Sequence, residues 1–257
     1  MSGSWRLENP IESPVTAPDR PLCDPRNNQL LAALPDSEWN RWRPYLQPVE
    51  LFAGHVLCEA GSTPAHVYFP TSAVISLLQL TREGDSSEIA VVGNDGMVGI
   101  SLFMGGDATP SRATVQGAGQ AWRLPSLAVR SEVQRGGPVL SILLRYTQAF
   151  IAQVSQTAAC NRHHTIDQQV CRRLLVGMDR SSSNELLMTQ EGVASLLGVR
   201  REGVTSAARK LQEAGVIRYS RGRIAVLDRE GLEQRACECY AVAKKTYEVL
   251  LPTALAA

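Results

Sequence analysis

The sequence predicts an α+β fold in three consecutive parts: an N-terminal β-roll, one long helix and a C-terminal winged helix-turn-helix. Three observations support this prediction. Between Val49 and about Leu124, short β-type runs alternate with Gly, Pro and Asp, which is typical of many short strands joined by turns. Residues 136–164 then repeat apolar side chains at spacings of three and four, as a helix does. From Thr189 onward, two short helical segments separated by a glycine precede a β-hairpin.

Composition sets the outer limits on function. The chain has 257 residues, of which 44% are hydrophobic, so it can bury a normal core. Its net charge is only +1, so nucleic-acid binding would need a local basic patch. No apolar run approaches the roughly 18 residues of a membrane span, and MSGSWRLENP does not resemble a signal peptide. Six irregularly spaced cysteines then predict reduced thiols in a cytoplasmic protein without membrane contact.

The same patterns suggest boundaries between the parts. Residues 1–28 are rich in Pro, Asp and Asn and predict a flexible tail. Residues 29–135 predict the roll, a double-stranded β-helix of the cupin-like jelly-roll type. Residues 136–172 predict a single dimerisation helix that starts after two glycines and a proline, and 173–257 predict the winged helix-turn-helix with a C-terminal helix.

A seam along the long helix indicates how two copies would meet. Side chains at alternating spacings of three and four form a stripe that becomes polar towards its C-terminal end, which is typical of a coiled coil. The alternative is an amphipathic helix packed on its own roll. The stripe consists of Leu140, Leu143, Thr147, Phe150, Val154, Thr157, Asn161 and His164.

The helix-turn-helix lies in MTQEGVASLLGVRREGVTSAARKL. Thr189 is a good N-cap and Gly198 is the turn residue between the two helices. The second helix turns polar side chains outward. Arginine can contact guanine with two hydrogen bonds, and glutamate can accept one from cytosine. We therefore predict a base-reading set of Arg201, Glu202, Thr205 and Ser206.

A wing follows in GVIRYSRGRIAV, where two short strands flank residues 220–223. From residue 200 to residue 223 there are seven basic and two acidic residues, which is the local charge expected of a DNA-binding surface. The alternative is a solvated basic face on a structural helical hairpin. The residues predicted to contact DNA phosphates are Thr189, Arg200, Arg209, Arg218, Arg221 and Arg223.

With these residues in place, the chain resembles the Crp/Fnr family of bacterial transcription regulators over about residues 30–228. The most specific part is TQEGVASLLGVRREGVTSAARKLQEAGVIRYSRGRI. The resemblance implies a homodimer on palindromic double-stranded DNA, RNA polymerase as a further partner, and adjacent base-reading residues at Arg201 and Glu202. Ser206 and Gly203 depart from the residues common in the family, so the operator need not be the usual one.

The family's nucleotide-binding members carry a Gly-Glu pair and, about ten residues later, an arginine. In GMVGISLFMGGDATPSRATV, Gly99 is present, but Ile100 replaces the glutamate. Arg112 is shifted by one position, with Ser111 in the usual arginine place. An isoleucine cannot accept a hydrogen bond from ribose, so we predict that the roll senses a signal other than cyclic AMP. Arg112 holds another anion or forms a surface ion pair; both interpretations stay open.

Two groups of cysteine and histidine lie elsewhere in the chain. Cys160 and His164 stand at i and i+4 on a helix, a spacing that can bind a metal. We predict packing roles and no metal for these side chains, and no iron–sulfur cluster, because Cys23 stands alone near the N-terminus. A redox- or metal-responsive regulator, or a ligand-independent one, is the alternative. The groups are Cys160, His163, His164 and Cys171 in CNRHHTIDQQVC, and Cys237 and Cys239 in CEC.

Other classes of protein fit the sequence less well. It contains no nucleophile elbow, no phosphate loop and no carboxylate pair in a suitable context, so we predict that the protein is not an enzyme. An interaction module that has lost DNA recognition is the second alternative, and the adjacent Arg201 and Glu202 argue against it.

Overall fold

The structure, a computed structural model, describes residues 21–106, 108–181 and 184–251. Two antiparallel sheets form an N-terminal roll, a long helix crosses it, and a winged helix-turn-helix follows. The predicted α+β class and its order of parts are therefore confirmed. None of the helices in the described ranges has both the length and the hydropathy needed to cross a bilayer.

Seven strands build the roll, and two short helices precede them. The helices α1 (Gln29–Ala32) and α2 (Asp36–Trp42) are separated at Pro35, as the sequence predicts. One sheet has the order β1-β7-β3 and the other β2-β6-β4-β5. The strands are β1 Gln47–Leu51, β2 Val56–Cys58, β3 His66–Pro70, β4 Val74–Leu80, β5 Ser86–Val92, β6 Arg112–Gly117 and β7 Gly119–Pro125.

The predicted flexible tail is wrong for residues 21–28, while residues 1–20 lie outside the described residues. The backbone N–H of Cys23 donates to Gln120 Oε1 at 2.7 Å, and Trp122 Nε1 donates to the Cys23 carbonyl at 3.1 Å. These bonds fix the segment against β7. A polar composition predicts disorder only when such partners are missing, and here a long-range pairing supplies them.

The long helix is also shorter than predicted. Helix α3 (Ser126–Arg135) precedes α4, which runs over Pro138–His163, and a separate helix α5 covers Ile166–Asp179. Thr165 caps α5: its hydroxyl accepts from the Gln168 N–H, and the Gln168 side chain accepts from the Thr165 N–H. This capping box starts a new helix and ends the continuous one predicted over 136–172.

The predicted seam of α4 lies mostly inside the chain. Leu143 packs in the core of the first sheet and Phe150 in that of the second. Thr147 and Thr157 are also buried. These side chains therefore cover the protein's own roll and its C-terminal helix. The amphipathic alternative describes them correctly, because periodicity alone does not say which surface an apolar face meets.

The winged helix-turn-helix follows α5. Strand β8 (Glu185–Leu187) pairs with β10 (Arg223–Val226), which pairs with β9 (Ile217–Ser220). Helices α6 (Gln190–Leu197) and α7 (Arg201–Glu213) pack on this sheet. Gly198 adopts the left-handed conformation (φ 65°) that ends α6 and turns the chain into α7. The sequence predicted this motif, including the turn residue.

The C-terminal segment, predicted as one helix within the DNA-binding part, is two helices. Helix α8 covers Arg229–Arg235 and α9 covers Glu238–Leu250. Helix α9 turns back and packs along α4, where Tyr247 stacks edge-on against Tyr146 and donates to Gln153 Oε1 at 3.2 Å. The chain thus returns to the long helix after completing the wing.

Two ion pairs join the winged helix-turn-helix to the roll. Arg173 of α5 pairs with Glu88 of β5, with Nε 2.6 Å from Oε1, and both side chains are over 90% buried. Arg180 pairs with Asp95, with Nη2 2.7 Å from Oδ2. Both pairs lie at the point where α5 crosses the roll, so the two parts share buried charge as well as apolar contacts.

Candidate nucleic-acid interface

Helix α7 is strongly two-sided. Val204, Ala207, Ala208 and Leu211 are buried against the rest of the winged helix-turn-helix. The opposite face is solvent-exposed and carries the whole predicted base-reading set, which is Arg201, Glu202, Thr205 and Ser206. Arg200, at the N-cap, and Arg209, two turns later, are exposed beside them. One face of this helix is therefore fixed by the core while the other is free to meet a ligand.

Gly203 belongs to the buried side of this helix. A Cβ at this position would lie 2.6 Å from Ile166 Cδ1 of α5, the movable end of that side chain, and 3.7 Å or more from its other atoms. Gly203 therefore contacts the Ile166 side chain on α5. It belongs to the contact between these two helices and not to the outward face.

The contacts of the outward face are weak and mostly local. Arg201 Nε lies 3.7 Å from Glu191 Oε2, and both side chains are more than 60% exposed. Thr205 Oγ1 donates to Gln190 Oε1 at 2.7 Å. Exposed pairs of this kind contribute little stability, so the guanidinium can exchange its carboxylate for a base at small cost. Gln190 joins the polar face here, although the sequence did not predict it, because it lies on the preceding helix.

The wing carries three exposed arginines on a tight hairpin. Arg221 (φ 48°) and Gly222 (φ 77°) both have positive φ, the signature of a type I′ turn. Arg218, Arg221 and Arg223 are exposed, and Arg223 Nη1 lies 3.7 Å from Glu185 Oε2. The turn thus presents positive charge at the end of a short, twisted ribbon.

The start of α6 lies beside the wing tip. The Met188 N–H donates to the Gly222 carbonyl at 2.9 Å, and a Cβ on Gly222 would lie 3.4 Å from Thr189 Cγ2. The Thr189 hydroxyl accepts from the Gly192 N–H as the helix cap. The structure therefore brings a helix N-terminus, which favours anions, next to the wing arginines.

Lys210, another basic residue of the patch, forms a short ion pair. Lys210 Nζ lies 2.6 Å from Asp167 Oδ2 of α5. This contact joins α7 to the helix that enters the domain. The charge excess counted from the sequence is therefore smaller at the surface that α7 presents.

The residues considered for an effector each make their own contacts within the roll. Gly99 (φ 113°) begins a short 3-10 helix, and a Cβ there would lie 2.9 Å from Val67 Cγ1. Ser111 is buried, whereas Arg112 is partly exposed and its Nε donates to Glu59 Oε2 at 2.8 Å. In this structure Arg112 therefore forms a surface ion pair, as one of the two interpretations predicts.

The cysteine and histidine side chains group differently from the sequence prediction. Cys160 and His164 lie with Cys237 and Cys239, and the ligand atoms of all four are within 4.8 Å of one another. His163 is exposed, and Cys171 packs in the core of the winged helix-turn-helix.

Burial raises the pKa of Cys160 to about 12, and the positive charge of Arg172 opposes this rise. Burial also raises the pKa of Cys171 to about 12. At neutral pH both thiols are therefore protonated in the absence of a metal ion.

Known protein families match both parts of the chain. Residues 48–135 match the cyclic nucleotide-binding domain, and residues 168–235 match the Crp-like helix-turn-helix domain. A curated relative, the CRP-like cAMP-activated global transcriptional regulator of Mycobacterium tuberculosis, is 25% identical over 199 residues, or 74% of this chain and 88% of the relative.

Solved structures show the same fold. A Crp/Fnr family transcriptional regulator from Eubacterium rectale superposes with a TM-score of 0.63 at 20% identity, covering 80% of this chain and 96% of that one. FixK2 from Bradyrhizobium japonicum gives a TM-score of 0.64 at 14% identity, covering 75% and 98%. The order of roll, long helix and winged helix-turn-helix is thus common to all three chains.

Proposed function

This chain belongs to the Crp/Fnr family of transcription regulators, and we propose that it reads a palindromic DNA operator as a homodimer. The observation that carries the proposal is the outward face of α7, which presents a guanidinium and a neighbouring carboxylate on a rigid helix. Arg201 would contact guanine and Glu202 would accept from cytosine in the major groove. A binder that relied on charge alone would gain nothing from a carboxylate there.

Other residues of the surface would fix the protein on the DNA. Contacts to phosphates set orientation and register without reading sequence. We assign this role to the helix start at Thr189 and to a set of exposed arginines. Thr205 and Ser206 complete the base-reading face. The arginines are Arg200, Arg209, Arg218, Arg221 and Arg223.

The wing assignment predicts a change in salt dependence. Replacing Arg221 with Asn and Arg223 with Gln removes two positive charges, and Asn tolerates the left-handed turn. The slope of log affinity against log salt should flatten by about one unit for each phosphate that is no longer neutralised, equally on operator and random DNA. Fluorescence anisotropy titrations over a salt series measure the slope. The Arg135→Gln variant, on the roll, is the matched control, and an unchanged slope in the double variant would remove the wing from the interface.

The exposed side of α4 is our proposed dimer seam. Leu144 and Ile151 are each 54% exposed, and Ala158 follows them, so all three are separated by seven residues. That is a heptad repeat on the face that the roll and α9 leave uncovered. In a two-fold dimer formed along α4, the two copies of α7 would lie about one turn of DNA apart. Each would then bind one half-site of a palindromic operator.

Charges on this face should therefore produce monomers. We expect Leu144→Glu combined with Ile151→Glu to halve the mass measured by light scattering, because four carboxylates, two from each chain, would be buried at the seam. Leu127→Glu, which replaces another highly exposed leucine on α3, should stay dimeric. A double variant that keeps the wild-type mass would place the dimer contact elsewhere.

The roll, residues 29–135, is the proposed sensor, and its signal differs from cyclic AMP. Ile100 supplies no acceptor for a ribose hydroxyl, and the Arg112 guanidinium already has the Glu59 carboxylate as its partner. RNA polymerase is the further partner that we propose from the family, and a DNA target places this activity in the cytoplasm.

A further inference from the structure

Three cysteines and one histidine converge where α4 ends and α9 begins. Cys160 Sγ lies 3.5 Å from Cys237 Sγ, and Cys239 Sγ lies 3.4 Å from His164 Nδ1. A tetrahedral zinc ion with Zn–S bonds of about 2.3 Å holds its ligand atoms roughly 3.8 Å apart. The two short separations lie within about 0.4 Å of that value. All four ligand atoms lie within 4.8 Å of one another, a spread that suits one ion better than a cluster of several.

We propose that Cys160, His164, Cys237 and Cys239 bind a single Zn²⁺ ion in a structural Cys₃His site. Zinc is the metal that this mixture of thiolate and imidazole ligands favours in a closed four-coordinate site. The three cysteines are over 90% buried and pack against one another, whereas His164 is partly exposed.

The surroundings are those of a metal site. His164 Nε2 lies 3.3 Å from Glu238 Oε1, which leaves Nδ1 to face the sulfurs. A carboxylate behind a ligand histidine fixes the orientation of the ring. Gln156 Nε2 donates to Cys239 Sγ at 3.0 Å, which holds that sulfur in place.

A buried arginine beside the cluster supplies an independent observation. Arg172 is 7% exposed, its Nε has no hydrogen-bond partner, and no carboxylate in the described ranges forms an ion pair with it. Its Nη1 donates to Thr157 Oγ1 at 3.3 Å. A buried cation without a counter-charge is costly. A zinc ion held by three thiolates and a neutral imidazole carries one negative charge and would balance it.

The position of the site suggests that the ion links the winged helix-turn-helix to α4. Cys160 and Cys237 are 77 positions apart, and the segment between them contains the whole winged helix-turn-helix. An ion at this point fastens the entry and the exit of that domain to the end of α4. Because closing a long loop restricts the unfolded chain, the ion also stabilises the folded state.

Metal analysis of the full-length protein tests the proposal. Protein purified under reducing conditions without chelator should contain about one zinc per chain by mass spectrometry. Replacement by Co²⁺ should give the intense visible bands of a tetrahedral thiolate site. Cys237→Ser should lose the metal, and Cys171→Ser, at a buried cysteine outside the cluster, should retain it. His164→Cys should still bind one metal ion per chain. Its cobalt bands should shift towards those of a site with four thiolates. Because this variant should stay folded, the shift tests directly whether residue 164 is a metal ligand.

Two further measurements test the role of Glu238 behind His164 and the effect of the metal on α9. Glu238→Ala should weaken zinc affinity by about 10- to 100-fold, whereas Glu248→Ala, elsewhere on α9, should not. Removing the metal should increase hydrogen exchange along Glu238–Leu250. Folded protein without bound zinc, a disulfide between Cys160 and Cys237, or iron with acid-labile sulfide would each overturn the proposal.

Discussion

Arg201→Ala is expected to reduce the preference for operator DNA strongly while leaving weak binding to random DNA. A bidentate arginine–guanine contact contributes about 1–3 kcal/mol of discrimination. A homodimer makes that contact twice, so the loss is about 2–6 kcal/mol, or at least about 30-fold in affinity for the operator. Binding to random DNA depends on phosphates, and it should fall only as far as the removal of one charge per chain requires.

Gel-shift titration against an operator selected from a random library measures both quantities. Arg135→Ala removes the same charge from the roll and serves as the control. If the Arg201→Ala protein kept the wild-type ratio of specific to random affinity, the side chain would have no base-reading role. The outward face of α7 would then be the solvated basic surface that the sequence also permits.

Glu88→Ala is expected to destabilise the folded protein by about 3–5 kcal/mol. Glu88 and Arg173 form a buried ion pair between β5 and α5, and Ser76 Oγ donates to the same carboxylate at 2.5 Å. Removing the carboxylate leaves the Arg173 guanidinium buried without a counter-charge. At about 2–4 °C per kcal/mol for a chain of this size, the midpoint of thermal unfolding should fall by about 6–20 °C.

Glu59→Ala provides the matched comparison. Glu59 also pairs with an arginine, Arg112 at 2.8 Å, but both side chains are at least 35% exposed. Water screens this pair, so its removal should change stability by no more than about 1 kcal/mol. Differential scanning calorimetry of the two variants gives both values. Equal midpoints would mean that burial adds nothing to the interaction between Glu88 and Arg173.

Local signals in the sequence were enough to predict the winged helix-turn-helix. The cap at Thr189, the turn at Gly198 and the apolar spacing of α7 are each set by residues within a few positions of one another. Caps, turn residues and apolar spacing of this kind mark where a helix begins and ends and which face it buries. The exposed face to which we assign base reading followed directly, because the buried positions of a helix define the opposite side.

Features that depend on distant contacts could not be predicted in the same way. The seam of α4 was identified as an apolar stripe, but only the folded chain shows that Phe150 faces its own roll. The grouping of Cys160 with Cys237 depends on α9 turning back across 77 residues. The end of α4 is different, since the Thr165–Gln168 capping box is a local sequence signal. It could have predicted that a new helix begins at this point.

Guanine methylation protection measures the central claim most directly, because dimethyl sulfate modifies the N7 atom that a major-groove arginine covers. On a selected operator, the wild-type protein should protect one or more guanines at symmetric positions in each half-site. The Arg201→Ala protein, at concentrations that saturate the DNA, should leave those guanines reactive while its backbone footprint persists. Identical protection by both proteins would contradict the account, because the guanines would then be covered by some part of the chain other than Arg201.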